Sequence, residues 1–301
     1  MRPTEPRTSV PAPEPPTAGF AATARRMARH AVYRCLPLAL RKRFAIWLNH
    51  QRWMSPERRG WLAARMVADL AQKDVNAYHK FLWQNHLSYA RTYETELRFG
   101  RDNINGTRLL FFEDMVAQLR RLNLRPETDV HSVFEVGCSL GYLLRHLETE
   151  VFPAARILEG SDIDAYAVAK GSAYLEHLGS QVALMHGDME SLSEALAGRH
   201  YDVMFAAGVL LYLTEDAAQR LVADMLDHTR HLLAIAALAH PERDNRELTR
   251  SVPREHDGTW IHNVDRMLEN AGARILDRRW EGARKVDGNT IYFLFAQPPA
   301  R

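Results

Sequence analysis

The stretch that most restricts this chain runs from Ser132 to Leu147. Ser132-Val133-Phe134 is a short β-branched and aromatic run. Glu135-Val136-Gly137-Cys138-Ser139-Leu140-Gly141 follows, and Tyr142-Leu143-Leu144-Arg145-His146-Leu147 then takes up a helical pattern. Strand, tight glycine-bearing loop and helix in succession are the building unit of an α/β sheet. Glycine carries no side chain and adopts positive φ, so such a loop lets backbone approach a ligand closely. The helix N-terminus behind it offers free N–H groups to an anionic or polar ligand part. The segment predicts a nucleotide-type pocket.

The spelling of the loop narrows the nucleotide. A dinucleotide fingerprint needs G-x-G-x-x-G. Gly137 is present, but Ser139 and Tyr142 occupy the other two glycine positions, which speaks against NAD. A phosphate loop ending in G-K-[ST] is absent as well.

Three later segments repeat the strand-then-turn theme. Residues 155–160 run into Ser161-Asp162-Ile163-Asp164, a second strand with an acid at its carboxyl end. Asp162 stands about twenty residues past the loop, where a carboxylate can accept both hydroxyls of a ribose. Residues 181–186 form a third strand ending in Gly187-Asp188-Met189, and residues 201–210 a fourth that passes through Ala206-Ala207-Gly208. Each has a plainer reading. Asp162 and Asp164 can cap a helix over residues 165–178, Asp188 one over 189–196, and Gly208 can be a packing glycine. Their shared position, at carboxyl ends of successive strands, is where open α/β sheets bind ligands.

Taken together, these four segments resemble the class I S-adenosylmethionine-dependent methyltransferases, whose first motif is acid-x-G-x-G-x-G. Glu135 stands at the acid, Gly137 and Gly141 at the outer glycines, and Ser139 replaces the middle one. The resemblance spans about residues 106–298. It implies an α/β fold: a Rossmann-like, seven-stranded, mostly parallel sheet with an antiparallel last hairpin, preceded by an N-terminal helical extension. It also implies S-adenosyl-L-methionine as the methyl donor. Under it, Glu135 organises the loop while Gly137, Cys138, Ser139 and Gly141 cradle the donor's amino-acid part. Asp162 with Ile163 takes the ribose, Asp188 with Met189 reads the adenine, and Gly208 lies beneath the methyl site. Helices before the sheet form a lid in this family, which makes Arg108 and Tyr93 candidates to meet the donor's carboxylate and adenine.

Beyond the fourth strand, residues 214–229 read as a helix and 231–238 as a fifth strand. Residues 273–280 and 289–296 are the last two strands, joined through Asp287-Gly288. Between the fifth strand and these two lies a long polar insertion, 239–263, holding His240, His256 and His262 with Asp244, Asp257 and Trp260. A loop this long within a compact domain is usually functional or disordered. Its histidines, carboxylates and aromatic point to the acceptor side, together with Leu211-Tyr212-Leu213. His240, directly after the fifth strand, is the first choice of general base. His262 can instead start the helix over 263–271, and His256 can be solvated. The histidines lack zinc spacing with cysteines, so no metal is assigned.

With 301 residues, 46% of them hydrophobic, the chain can bury one α/β domain and an extension. Residues 1–18, dense in proline, are expected to be a disordered tail, 19–104 a helical extension or lid, and 105–301 the methyltransferase domain. A net charge of +2 gives no reason to expect nucleic acid. Two cysteines, Cys35 and Cys138, suit a reducing, cytoplasmic setting. Residues 20–59 set Arg25, Arg26, Arg29, Arg34, Arg41, Lys42, Arg43, Arg52, Arg58 and Arg59 against one acid, Glu57. Interleaved Val32, Leu36, Leu38, Leu40, Phe44, Ile46, Trp47 and Leu48 make this stretch amphipathic. It reads either as a helical cover with solvated arginines, the plainer case, or as a peripheral contact with an anionic membrane or polyanion. Residues 61–99 are helical in pattern and rich in aromatics, Trp61, Tyr78, Phe81, Trp83, Tyr89 and Tyr93 among them; residues 107–122 give a further helix. The expected activity is methyl transfer to a hydroxyl of a sugar, glycan precursor or small metabolite. The alternatives are a donor-binding partner subunit without turnover and, against the glycine spacing, an NAD-dependent oxidoreductase.

Overall fold

The computed structural model describes residues 36–51, 53–87, 104–254 and 257–299. The expected tail 1–18, the first part of the basic stretch with Cys35, and Arg52, Tyr89, Tyr93 and His256 lie outside the described residues.

Five parallel strands carry the architecture: β1 (Ser132–Val136), β2 (Ile157–Asp162), β3 (Ala183–His186), β4 (Tyr201–Ala207) and β5 (Thr229–Ala236). After a small two-stranded sheet of β6 (Val252–Pro253) and β7 (Trp260–Ile261), the chain closes with β8 (Arg274–Val286) and β9 (Asn289–Gln297). The large sheet has the order β3-β2-β1-β4-β5-β9-β8. β9 runs antiparallel between β5 and β8, so the expected seven-stranded, mostly parallel sheet with an antiparallel last hairpin is what forms. Asp287 (φ 48°) and Gly288 (φ 79°) make the connecting turn, both in the left-handed region that a two-residue hairpin needs. β8 continues past the expected Trp280, with a register shift between Trp280 and Lys285.

Strand alternation explains the two cores. On β4, Val203 and Phe205 face one side while Met204 and Ala206 face the other, and all four are fully buried. The first face packs under α5 (Gly106–Arg121), α7 (Tyr142–His146) and α8 (Ala165–His177), through Phe111, Met115, Leu144 and Leu175. The second packs under α10 (Glu215–Asp227) and α11 (Val264–Asn270), through Leu221, Met225, Val264 and Leu268. Helix starts follow their caps. Asn105 accepts from Arg108 N–H at the head of α5, and Asp164 from Ala167 N–H at the head of α8.

Ahead of the sheet lie α1 (Leu38–Asn49), α2 (Pro56–Met66), α3 (Ala68–Lys73) and α4 (Val75–Gln84), with α6 (Pro126–Asp129) and α9 (Leu192–Leu196) as short turns elsewhere. α1, α2 and α4 share a small core of Ala45, Leu48, Ala63, Met66, Phe81 and Leu82, joined by Val67. The end of this unit sits on the carboxyl edge of the sheet. His86 Nδ1 meets Asp164 Oδ2 at 2.6 Å, and Lys80 Nζ meets Asp188 at 2.5 Å and Glu190 at 3.1 Å. His79 Nε2 donates to the Asp257 carbonyl at 2.9 Å.

Candidate active site

The glycine loop turns over the end of β2. Gly137 and Cys138 N–H both donate to the Ser161 carbonyl, at 2.8 and 3.1 Å. Gly137 has φ 76°, and a Cβ there would stand 2.4 Å from Val209 Cγ2. Only glycine fits that position. Ser139, at the motif's middle glycine, adopts φ 48°, a region costly for a residue with a side chain. Its N–H donates to Asp162 Oδ2 at 2.8 Å, which holds the strained turn in place. The serine is tolerated because the second-strand acid clamps it.

Between this loop, the ends of β2 and β4, and α4 lies an open-mouthed cleft of about 770 Å³, counting the space open to solvent at its mouth. Its floor is formed by Glu135, Gly137, Cys138, Ser139, Ser161, Asp162 and Ile163, and its adjoining walls by Gly187, Met189, Ala207, Gly208 and Val209. Trp83, Tyr142, Leu143 and Tyr212 add an aromatic and apolar margin, and Arg108 a cation. Trp83 and Tyr212 meet edge to face, with ring centroids 5.5 Å apart, so α4 roofs the end of β4.

Glu135 is the decisive side chain. It belongs to β1 and not to the loop, is 2% exposed, and its Oε2 has no hydrogen-bond partner. Burial pushes its carboxyl well above the usual range; the Arg108 guanidinium opposes that shift and the Asp162 carboxylate adds to it. A buried carboxylate oxygen without a donor is costly. Here it faces a cleft, where a ligand's cationic group can satisfy it. Arg108, in the first turn of α5, is anchored by Nη2 to the Ala207 carbonyl at 2.8 Å.

Asp162 is also buried, and burial raises its carboxyl despite backbone donors. Oδ2 takes Ser139 N–H and Oδ1 takes Asp164 N–H at 2.9 Å, so it both shapes the loop and borders the cleft. The capping role falls to Asp164. Asp188 stands differently from the expectation. Its carboxylate engages Lys80 and Glu190 N–H, and only its neighbours Gly187 and Met189 border the cleft.

In the insertion, the described side chains singled out by the sequence are engaged locally. His240 does not border the cleft, and its Nδ1 accepts Glu242 and Arg243 N–H at 3.2 and 3.3 Å. The ring caps a turn, a local role that strand adjacency cannot distinguish from catalysis. His262 is buried. Nδ1 pairs with Ser251 Oγ at 2.7 Å and Nε2 with the Leu210 carbonyl at 3.0 Å, and burial lowers its pKa. Asp244 pairs with Arg278, and Asp257 accepts from Thr259. Asn245, fully buried, takes His240 N–H and Trp280 Nε1–H on Oδ1 and donates to the Leu238 and His262 carbonyls. The segment is polar because it must satisfy its own buried backbone. Among the described acceptor-side residues named from the sequence, Tyr212 alone borders the cleft. No cluster suited to a metal occurs among the described residues.

Trp83, Tyr142, Ser161, Ala207 and Val209 were not assigned from the sequence. Tyr142 sits one residue past the motif and Ala207 and Val209 flank Gly208, so their neighbourhood was a signal. For Trp83 the signal was only its place among the aromatics of the expected lid; 52 residues separate it from Glu135, and the packing of α4 brings it in.

Residues 133–231 match the family model described as a methyltransferase domain. This part of the chain is similar to methyltransferase domains. The resemblance to the class I S-adenosylmethionine-dependent enzymes holds in motif order and in strand order. No protein of curated function matches the chain in sequence. Among solved structures, it is similar to magnesium protoporphyrin IX methyltransferase of Synechocystis with bound S-adenosylmethionine, at 18% identity and a TM-score of 0.48, covering 72% of this chain and 95% of that one. A methyltransferase of Aquifex aeolicus aligns at 15% identity and TM-score 0.47 over 70% and 98% of the two chains. The CcbJ methyltransferase of Streptomyces caelestis aligns at 15% and 0.45 over 64% and 89%. Likenesses of this degree carry no argument about chemistry. No helix among the described residues is long and apolar enough to cross a membrane.

Proposed function

We propose that the chain transfers a methyl group from S-adenosylmethionine to a small organic acceptor with an oxygen nucleophile. The observation that carries this reading is the orphaned Oε2 of Glu135 beside a glycine loop. The residues present fit the donor. Glu135 would hold its ammonium, the loop its amino-acid backbone, Asp162 its ribose, and Ile163, Gly187 and Met189 its base. When bound, that donor supplies a sulfonium methyl group whose transfer to the acceptor leaves a neutral thioether.

The chain's own part is positioning. In-line displacement at carbon is accelerated mainly by holding nucleophile and methyl group in register. Gly137 to Gly141 fix the donor end, while Trp83, Tyr142 and Tyr212 exclude water and orient a flat or partly apolar acceptor against it. Among the described residues, no histidine borders the cleft, and its two carboxylates face the donor side. The acceptor oxygen is therefore one that ionises without a strong protein base, such as a phenol, enol or carboxyl, with Arg108 favouring the anion electrostatically. This narrows the expected hydroxyl of a sugar, glycan precursor or small metabolite to the metabolite class.

The raised carboxyl of Glu135 gives donor binding a pH signature. The protonated carboxyl must release its proton to receive an ammonium, so affinity should rise with pH until Glu135 is ionised. Titration calorimetry with S-adenosylhomocysteine in two buffers of different ionisation enthalpy reads that proton. Affinity independent of pH, or preference for a dinucleotide, would overturn the reading.

A further inference from the structure

Apolar surface is distributed unevenly over this molecule. On α1, Leu40, Phe44 and Trp47 follow one another at helical spacing and are 50%, 43% and 48% exposed. Phe44 and Trp47 stack on each other at 5.1 Å in solvent. Leu36 extends the stripe before the helix. Trp53, 75% exposed, extends it after, tied through Gln51 to the Trp47 carbonyl. Elsewhere among the described residues, large exposed apolar side chains beyond Trp61 are isolated ones, Ile157, Tyr166 and Leu178. Contiguous aromatic surface of this kind marks an interaction site.

Charge selects the partner. Arg43 is exposed within the stripe, between Leu40 and Trp47, and Arg58 is exposed on α2. Residues 20–59 as a whole hold ten cations and a single acid. A second copy of the chain would set these cations against their own kind, and so would the arginine-bearing segment before Leu36. An anionic surface complements them. At 12 residues α1 is too short to span a bilayer. It suits the interfacial plane, where tryptophan and phenylalanine settle among headgroups and arginine meets lipid phosphate.

We infer that the α1 face of Leu36, Leu40, Arg43, Phe44, Trp47 and Trp53 docks this protein on an anionic membrane surface. The inference does not rest on the proposed methyl-transfer activity. The arginines then have a second task beyond solvation, and the helical unit that roofs the cleft through Trp83 is also the unit that touches lipid.

Flotation of the full chain with vesicles tests it. The protein should rise with vesicles of mixed phosphatidylcholine and phosphatidylglycerol and stay behind with phosphatidylcholine alone. The double variant Phe44→Ser/Trp47→Ser should reduce the bound fraction by about tenfold or more, and Arg43→Glu by severalfold. Because these side chains are exposed, thermal melting by circular dichroism should be unchanged. Absence of flotation, or flotation undiminished in the double variant, would overturn the inference. So would a wild-type dimer in sedimentation that the double variant dissociates, which would assign the face to a second copy. Vesicle binding without quenching of tryptophan emission by brominated phosphatidylglycerol would assign it to the chain's own first 35 residues and also overturn it.

Discussion

Two sets of buried polar side chains at the carboxyl side of the sheet, the network of Asn245 and Asp265 and the Glu135 carboxyl of the cleft, are satisfied in opposite ways. In the insertion after β5, every hydrogen-bonding atom of the Asn245 side chain has a partner. Asp265, fully buried, pairs with Arg246 at 3.0 Å and Arg278 at 2.8 Å and accepts Tyr292 O–H at 2.6 Å. In the cleft, Glu135 is as deeply buried yet has an oxygen with nothing to bind. Satisfied burial is scaffold, because removing a member strands its partners. Unsatisfied burial beside an opening is a site, because its free energy is recovered only with a ligand.

The comparison can be broken most strongly at Asp265. Asp265→Ala leaves Arg278 and the Tyr292 hydroxyl without their shared acceptor and should cost about 3–5 kcal/mol of stability by denaturant titration. Donor affinity per folded molecule should scarcely change; a selective loss of donor binding would place the network in the site. Glu135→Gln should do the reverse. Loss of a charge-assisted hydrogen bond of about 1.5–3 kcal/mol weakens donor affinity roughly ten- to hundredfold by calorimetry.

The same variant should melt higher than wild type at neutral pH when no donor is present. The sign follows from the raised carboxyl. A folded pKa above the unfolded one stabilises fully below the unfolded value, and that stabilisation is lost as pH rises through the folded value. The neutral glutamine escapes that loss, so the gain should vanish below about pH 4.3, the ordinary value for a glutamate. A gain that persists in acid would point to another cause. Asp162→Asn comes next. Its amide nitrogen would confront a backbone N–H at Ser139 or Asp164, loosening the strained turn and lowering donor affinity by about tenfold. His240→Ala should have the smallest effect, turnover staying within about twofold and stability changing by about 1 kcal/mol, the scale of a local cap. A loss of turnover of a hundredfold or more would restore it as a base.

The fold was largely readable because its signals are local. β1 through β4 announce themselves as short apolar runs closed by glycine or aspartate, and Asp287-Gly288 names its own hairpin. Shared placement of Gly137, Cys138, Ser139, Asp162 and Ile163 around one opening follows from strand order, since parallel strands deliver their carboxyl ends to the same edge. Composition misled at the insertion. A histidine beside carboxylates reads alike whether it faces substrate or caps its own backbone, and His240 does the second.

The sequence by itself determined where backbone must turn, which strands share an edge and which acids stand there, because φ preference, side-chain period and chain order are properties of neighbours along the chain. Only the tertiary structure decided that Glu135 lacks a partner, that Asn245 and Asp265 have all of theirs, and that Trp83 closes the cleft. Whether a buried polar atom is satisfied depends on groups far away in sequence, and no local pattern contains them.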